Sequence, residues 1–188
     1  MTLPASLTVG LKEWAVLDSA LESGRQILLL RKGGISESIG GFQLEHSEFV
    51  IFPTYLHQNA TMLKSPWAGK VARVDAEPGT IRITIAAEVT DILRVRDRKQ
   101  IDALDDQHIW LPPLIDMRFN YRPENPLYLI LIRASRLPQP VTIDNTPAYA
   151  GCKSWVPLSN PIPTVGATPV LSDADFQTRR EVILHRMA

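Results

Sequence analysis

The chain has 188 residues, 45% hydrophobic and 21% charged, which is the composition of a soluble globular protein long enough to bury a sizeable core. Twenty Lys and Arg balance twenty Asp and Glu, which argues against a protein that coats nucleic acid non-specifically, because such proteins are usually strongly basic. No apolar run approaches the roughly 20 residues needed to cross a bilayer, and the N-terminus lacks the features of a secretion signal. We therefore expect a cytoplasmic protein that does not associate with membranes.

The first third of the chain predicts one helix and two buried strands. Four apolar residues recur at helical spacing: Leu11, Trp14, Leu17 and Leu21. Gly24 stands where such a helix would end. The runs 27–30 and 49–52 are short and wholly apolar, as in strands covered on both faces. Glycine pairs mark a loop between these runs, and residues 55–63 are a candidate short helix.

The rest of the chain predicts two more strands and two more helices. Residues 81–95 begin with alternating isoleucines and predict a long strand that bends or bulges. Residues 100–107 are a short helical candidate, and 127–132 form a third unbroken apolar strand. Seven prolines in 138–169 predict a segment that wraps the surface. A serine with an acid three residues on predicts a capped C-terminal helix over 172–187.

These elements predict an α+β fold, with a small, mostly antiparallel β-barrel flanked by helices. We expect a single domain over 1–188, with its core in about 10–137, the wrapping segment in 138–169 and the C-terminal helix in 172–187.

The stretch that follows the first strand is a candidate anion site. Arg31 and Lys32 end an apolar run and precede Gly33 and Gly34, whose backbone N–H groups can approach an oxygen closely. Phosphate or a carboxylate would suit this edge, although an ordinary glycine turn explains the pattern equally well. Residues 61–100 carry eight basic and five acidic side chains, a local excess that would serve one phosphate contact.

Two further groups of residues have side chains that could take part in metal chemistry. Glu45, His46, Glu48 and His57 offer the ligand types of an open divalent-metal site, but no tight helical spacing holds them together. Packing histidines are the simpler interpretation, so we expect neither a bound metal nor a cofactor. The short acid-x-Lys element at 97–99 occurs in metal-dependent nucleases, but a charged strand end explains it more simply.

The stretch "YAGCKSWVPL" holds the last candidates. Cys152 is the single cysteine, which excludes an internal disulfide. Beside Lys153 it has the setting of a lowered thiol pKa, but without an evident base it is better explained as a packing residue. Trp155 lies in the same stretch and offers a face on which a flat ligand can stack.

Four separated motifs carry a family resemblance: "LKEWAVLDSALESGRQILLLRKGGI", "FQLEHSEFVIFPTYLHQ", "PLYLILIRASRLPQPV" and "YAGCKSWVPL". Together they resemble the prokaryotic domain-of-unknown-function family 1802 from about residue 10 to 185. The resemblance implies a restriction-modification context, because some relatives are associated with a nuclease-type domain. Any nuclease partner would be a separate protein. The order of elements is also similar to PUA-like barrels of the ASCH group, which bind RNA or modified bases, although Leu29 stands where that pattern has a glutamate.

We therefore expect a nucleic-acid or nucleotide recognition module, in the context of defence against foreign or modified DNA. Arg31 and Lys32 would contact phosphate, and His46, His57 or Gln58 would bond to base edges. These side chains are expected to share one pocket with Lys153 or Trp155. Two alternatives stay open: a metal-dependent hydrolase or nuclease, and a regulatory protein-interaction domain without a ligand.

Overall fold

The computed structural model describes residues 3–32, 35–38, 41–151 and 153–188, with the backbone alone described at 35–38 and 41–43. Its central feature is a seven-stranded mixed sheet in the order β2-β7-β6-β5-β1-β8, with β9 also pairing with β7, and β3 and β4 form a separate hairpin. The strands are β1 (Ser6–Trp14), β2 (Leu28–Arg31), β3 (Ile35–Ser38), β4 (Gly41–Leu44), β5 (Glu48–Thr54), β6 (Thr80–Val95), β7 (Leu127–Asp144), β8 (Trp155–Pro163) and β9 (Thr168–Pro169). The helices are α1 (Ala15–Glu22), α2 (Arg98–Asp102), α3 (Pro112–Asn120) and α4 (Asp173–Met187), with short 3-10 turns at Ala60–Met62, Trp67–Lys70, Asp105–Gln107 and Pro147–Tyr149.

The longest ladder of the sheet is the antiparallel pair β6 and β7. The register of this pair shifts between Ile83 and Ile85 and again between Val89 and Asp91. The predicted long strand with a bend or bulge is therefore confirmed. The apolar runs 27–30, 49–52 and 127–132 are likewise found in strands β2, β5 and β7.

The predicted barrel is wrong, because the described sheet is open. Its outer strands β2 and β8 lie at opposite ends of the order and do not pair with each other. Closing a barrel requires the outermost strands to hydrogen-bond. Here β2 is only four residues long, and β8 carries prolines that cannot donate to another strand. The mixture of strands with flanking helices and a C-terminal helix agrees with the α+β prediction.

Three predicted helices differ from the structure. Residues 11–14 belong to β1, which pairs in parallel with β5 and antiparallel with β8, and only 15–22 are helical. Long-range pairing of β1 outweighs the helical spacing of its apolar residues. Residues 55–63 contain only a 3-10 turn, and 100–107 are divided between the end of α2 and another 3-10 turn.

The proline-rich segment does not merely wrap the surface, as predicted, because much of it belongs to the sheet. Strand β7 continues to Asp144, and β8 and β9 lie within 138–169. The prolines fit because Pro138 and Pro140 fall where the β6–β7 register shifts, and β8 is an outer strand.

Apolar side chains are buried on both faces of the sheet. The larger core is formed by α1, β2, the first half of β7 and α4. Leu21, Leu29 and Ile183 are fully buried in it. A smaller core on the other face includes Phe52 and Ile81. Alternate residues of β5 contribute to opposite cores, as the two-residue period of a strand requires.

The C-terminal helix begins as the sequence predicts. The Ser172 hydroxyl accepts a hydrogen bond from the Asp175 N–H, which caps α4. Arg180 of this helix forms a bidentate ion pair with Asp91 on β6. Its Nε and Nη2 donate to the two carboxylate oxygens at 2.6 and 2.5 Å. No described helix is both long enough and apolar enough to span a membrane.

Candidate functional site

Asp18 is an acidic side chain buried on the first helix. It lies within the apolar stretch 15–21, and only 8% of its surface is exposed. The helix is held at its start by the Gln58 side chain, whose Oε1 accepts a hydrogen bond from the Val16 N–H at 3.0 Å. One carboxylate oxygen of Asp18, Oδ1, has no hydrogen-bond partner among the described residues. A buried acceptor without a partner costs free energy, so this oxygen is suited to a polar ligand.

The environment of Asp18 shifts its ionisation toward neutral pH. The pKa of Asp18 is raised from 3.8 to about 7, chiefly by burial and to a smaller extent by the negative charge of Glu22. Arg82 acts in the opposite direction. Near pH 7 the Asp18 carboxyl can therefore accept a hydrogen bond in its ionised form or donate one in its protonated form.

Thr84 provides a second buried polar group in the same place. It lies on β6 where the register with β7 shifts, between Ile83 and Ile85. Irregularities of this kind reorient side chains and are frequent beside binding sites. The Thr84 Oγ1 is buried and has no hydrogen-bond partner in the described part of the chain.

A half-buried aromatic residue, Tyr55, lies beside these groups. The backbone N–H of Tyr55 donates to both carboxylate oxygens of Glu77 at 3.0 Å, which fixes the turn after β5. Burial raises the pKa of the Tyr55 hydroxyl, with smaller contributions from Asp18 and Glu77. Asp18 and Tyr55 line the same cleft.

Two exposed cations complete the surroundings. Arg82 lies two residues before Thr84 on β6. Lys70 holds its ammonium 4.1 Å from the centre of the Trp67 ring, a cation–π contact that restrains its position.

These groups line one cleft of about 210 Å³, the Asp18 cleft, which includes Asp18, Tyr55, Gln58, Lys70, Arg82 and Thr84. Pockets for drug-sized ligands usually have about 300–1,000 Å³, so this cleft suits a single ring-sized group. Ser19 and Glu22 also line the cleft, so its chemistry is mixed: two carboxyl groups, of which Asp18 has its pKa raised to about 7, hydroxyl groups, an aromatic ring and two cations.

The structure separates the residues predicted to contact phosphate. Arg31 is buried, and its guanidinium forms an ion pair with Glu13 at 2.5 Å and also donates to the Lys12 carbonyl. This internal pairing does not fit the predicted phosphate contact. Lys32 donates instead to the carbonyls of Phe119 and Arg122, at 2.7 and 3.1 Å. Gly33 and Gly34 lie outside the described residues.

The remaining predicted residues do not form one pocket. His46 packs edge-on against buried Trp155, with 5.1 Å between the ring centres. Lys153 and His57 are exposed, and His57 has a positive φ of 66°. Gln58 alone lines the Asp18 cleft, where its carbonyl is used by α1. The predicted convergence of Arg31 or Lys32 with a histidine and Lys153 or Trp155 is therefore not seen, and Cys152 lies outside the described residues.

The groups considered for metal chemistry have other roles. Within the described ranges, no cluster of three or more His, Cys, Asp or Glu side chains is placed to hold a metal ion. The carboxylate of Glu48 accepts a hydrogen bond from Ser47 at 2.6 Å. Asp97, the acid of the nuclease-like element, caps α2 by accepting from the Lys99 N–H. The hydrolase built on Glu45, His46, Glu48 and His57 therefore gains no support.

A small cavity lies near the Arg31–Glu13 pair. Glu13, Trp14, Trp110 and Arg118 contribute to its lining. Its volume of about 10 Å³ is enough for roughly one water molecule, so it is too small for an organic ligand.

Sequence reasoning identified only Gln58 among the residues that line the Asp18 cleft. In the sequence, Asp18 has the position expected for the solvent-facing side of an amphipathic helix. Arg82 and Thr84 have the positions expected for the solvent-facing side of an alternating strand. One signal was available, since the acid at Asp18 is preceded by three apolar residues, Ala15 to Leu17.

Comparisons with other proteins give a family but no activity. No curated protein matches the chain. Among solved structures, the chain is similar to a crystal structure of a mutant ZmASCH protein from Zymomonas mobilis, with 11% sequence identity and a TM-score of 0.45, over 96% of this chain and 99% of the other. None of the proposals below depends on this low similarity. A family model described as "Domain of unknown function (DUF1802)" matches residues 10–182, which confirms the resemblance read from the four motifs, and the chain belongs to this family.

Proposed function

We propose that the protein recognises a nucleobase, as part of a nucleotide or a nucleic acid, in the Asp18 cleft. The observation that carries this proposal is the pair of buried polar atoms, Asp18 Oδ1 and Thr84 Oγ1. Both atoms belong to residues that line one cleft, and both lack a hydrogen-bond partner among the described residues. A ligand that bonds to both atoms would remove two desolvation costs at once.

The edge of a nucleobase matches these groups. Bases present donors and acceptors side by side in one plane, and proteins read them with carboxyl, amide and hydroxyl groups. An ionised Asp18 would accept from an exocyclic amino group, as carboxylates do with cytosine N4. Thr84 can donate or accept, and the half-buried ring of Tyr55 provides a face for stacking.

The cations give the ligand a second point of contact. Lys70 and Arg82 are exposed, and phosphate contacts commonly position a nucleic acid while base contacts give specificity. A cleft of about 210 Å³ would hold the base and leave its sugar and phosphate at the cations. Balanced overall charge is consistent with recognition of one local feature.

Calorimetric titration with the four ribonucleoside monophosphates would test the proposal, with inorganic phosphate as the reference ligand. We expect at least one nucleotide to bind with a Kd between about 1 µM and 1 mM, and phosphate alone to bind more weakly. Asp18→Asn should weaken binding by roughly 10- to 100-fold, and Thr84→Val by roughly 5- to 10-fold, because each removes one hydrogen bond to the base.

Thr178→Val is a matched control, because Thr178 is exposed on α4 and its hydroxyl donates to the Ala174 carbonyl of the same helix. It should bind like wild type. Equal affinities of the wild type for nucleotides and for phosphate would contradict base recognition. If no probe binds, the alternative of a regulatory interaction domain without a ligand becomes the better explanation.

A role in defence against foreign or modified DNA stays a prediction, as does a separate nuclease partner. Both rest on the family resemblance. Adding 5-methylcytidine monophosphate to the panel would test the modified-base part. Tighter binding than cytidine monophosphate is expected, and equal or weaker binding would contradict it.

A further inference from the structure

A second cleft of about 570 Å³ lies at the other end of strand β6. Lys32, Arg94 and Arg96 contribute cations to it, and no acidic side chain is found among the described residues that line it. Arg82 of the Asp18 cleft is twelve residues from Arg94 along the same strand. The two clefts share no lining residue, so they are distinct sites.

Lys32 contributes a positive charge to this cleft, and its ammonium has no ion-pair partner among the described residues. Its ammonium donates to the carbonyls of Phe119 and Arg122. These neutral acceptors restrain the side chain but leave its positive charge unbalanced. An ammonium group has three donors, so one remains for a ligand after the two carbonyl contacts.

Arg94 and Arg96 add two exposed guanidinium groups. Arg94 is the last but one residue of β6 and Arg96 follows the end of the strand; both are exposed and line the cleft, while Val95 between them is buried. Exposed Glu124 stands between the lining residues Pro123 and Asn125 but is not itself in the lining, and two other nearby acids are engaged elsewhere. Asp97 caps α2, and Asp116 is paired with Arg98 at 2.9 Å.

An exposed aromatic residue, Tyr121, lies in the segment that contributes to the lining of this cleft, although it is not itself a lining residue. Tyr121 is 56% exposed and stands between Phe119 and Pro123, two residues of the cleft lining. The Arg122 guanidinium lies 5.4 Å from the centre of the Tyr121 ring, which restrains the ring. Cations interleaved with an exposed aromatic ring are typical of surfaces that bind single-stranded nucleic acid.

We infer that this second cleft, formed by Lys32, Arg94 and Arg96 with Tyr121 beside it, binds the phosphate backbone of a single-stranded nucleic acid. The inference deepens the proposed function and rests on it in one respect: the base in the Asp18 cleft would belong to a polynucleotide. An unpaired strand is favoured over a duplex because stacking on Tyr121 requires an unstacked base.

Binding of a mixed-sequence single-stranded RNA and its DNA equivalent, each of about 12 nucleotides, would test the inference by fluorescence anisotropy over a range of salt concentrations. For Arg94→Ala/Arg96→Ala we expect roughly tenfold weaker binding at low salt. The salt slope should fall by about 1.4, because each phosphate contact on a single strand contributes about 0.7. Tyr121→Ala should weaken binding with little change in slope. A duplex of the same length should bind more weakly than the single strands.

The matched control is Arg73→Ala/Lys153→Ala, which removes two exposed cations outside both clefts. It should bind like wild type. Unchanged affinity and slope in the Arg94/Arg96 variant would overturn the inference, as would wild-type protein that binds nucleotides but no oligonucleotide. Equal affinity for the duplex would overturn the single-strand assignment.

Titration of the same variants with nucleoside monophosphates separates the two proposals. Loss of oligonucleotide binding with retained nucleotide binding supports both. Oligonucleotide binding that depends on Arg94 and Arg96, without any nucleotide binding, would support the second cleft and contradict the Asp18 cleft.

Discussion

Because Asp18 is buried, we expect its contribution to the free energy of unfolding to decrease as the pH rises. The pKa of Asp18 is raised from 3.8 to about 7 in the folded protein, chiefly by burial. Between these values the folded state holds a proton on Asp18 that the unfolded chain has lost, so the contribution of Asp18 to stability falls as the pH rises through this window. Above pH 7 the loss reaches its full size, because both states are then ionised.

The size of the effect follows from the shift. About three pKa units at 1.36 kcal/mol each give a cost of about 4 kcal/mol at pH 8. Asp18→Asn has nearly the same shape and cannot ionise, so it removes this cost. The buried amide of the asparagine has its own desolvation cost of about 1–3 kcal/mol, which leaves a net gain of about 2 kcal/mol. For a chain of this length the gain corresponds to a Tm increase of roughly 4–8 °C.

Thermal melts of wild type and Asp18→Asn at pH 4, 6 and 8 would measure this effect. The variant should be more stable at pH 8, and its advantage should disappear by pH 4. Asp75→Asn changes an exposed acid and serves as the control, with an expected change within about 0.5 kcal/mol at every pH. A variant that is less stable at pH 8, or whose difference does not vary with pH, would refute the proposed burial of the Asp18 charge.

Three further predictions concern stability. Burial lowers the pKa of His108 from 6.5 to about 4, so the contribution of His108 to stability falls as pH drops through this range, opposite in sign to that of Asp18, and the free-energy difference between wild type and His108→Asn, measured by melts, should change by up to about 3 kcal/mol across it. Urea unfolding of Arg31→Ala should show a loss of about 3–5 kcal/mol, since Glu13 would be left as an unpaired buried charge; a loss below 1 kcal/mol would contradict this. Ser172→Ala should cost about 1 kcal/mol in the same assay through loss of the α4 cap, and an unchanged midpoint would count against it.

The strands that could be predicted from the sequence are those whose signal is local. Residues 27–30, 49–52 and 127–132 are wholly apolar because both faces of the sheet are covered, and no long-range information was needed to recognise them. Ser172 similarly marks the start of α4 through its own side chain.

Strand β1 could not be predicted, because its conformation depends on distant partners. Its residues pair with β5, about 40 positions later, and with β8, more than 140 positions later. Gly10 also allows a close approach, since a Cβ at this position would lie 3.1 Å from the Phe52 Cβ. Leu11 and Trp14 have helical spacing relative to Leu17 and Leu21, but they lie in a strand and not in the helix.

The candidate site was hidden for the same reason. Asp18 and Thr84 are 66 positions apart, and neither belongs to a recognisable motif. Their shared property, a buried polar atom without a partner, exists only after the helix and the strand have packed together. Conversely, Arg31 was predicted as a ligand contact because its distance from Glu13 in sequence concealed the ion pair.

Heteronuclear NMR titration of the protein with the best-binding nucleoside monophosphate tests the central claim most directly. If the base enters the Asp18 cleft, the largest changes in backbone amide shifts should occur in the first turns of α1 and at residues 82–84 of β6, and Asp18→Asn should reduce them at equal ligand concentration. Shifts confined to the region of His46 and Trp155, or shifts unaffected by the Asp18 substitution, would contradict the assignment of the cleft.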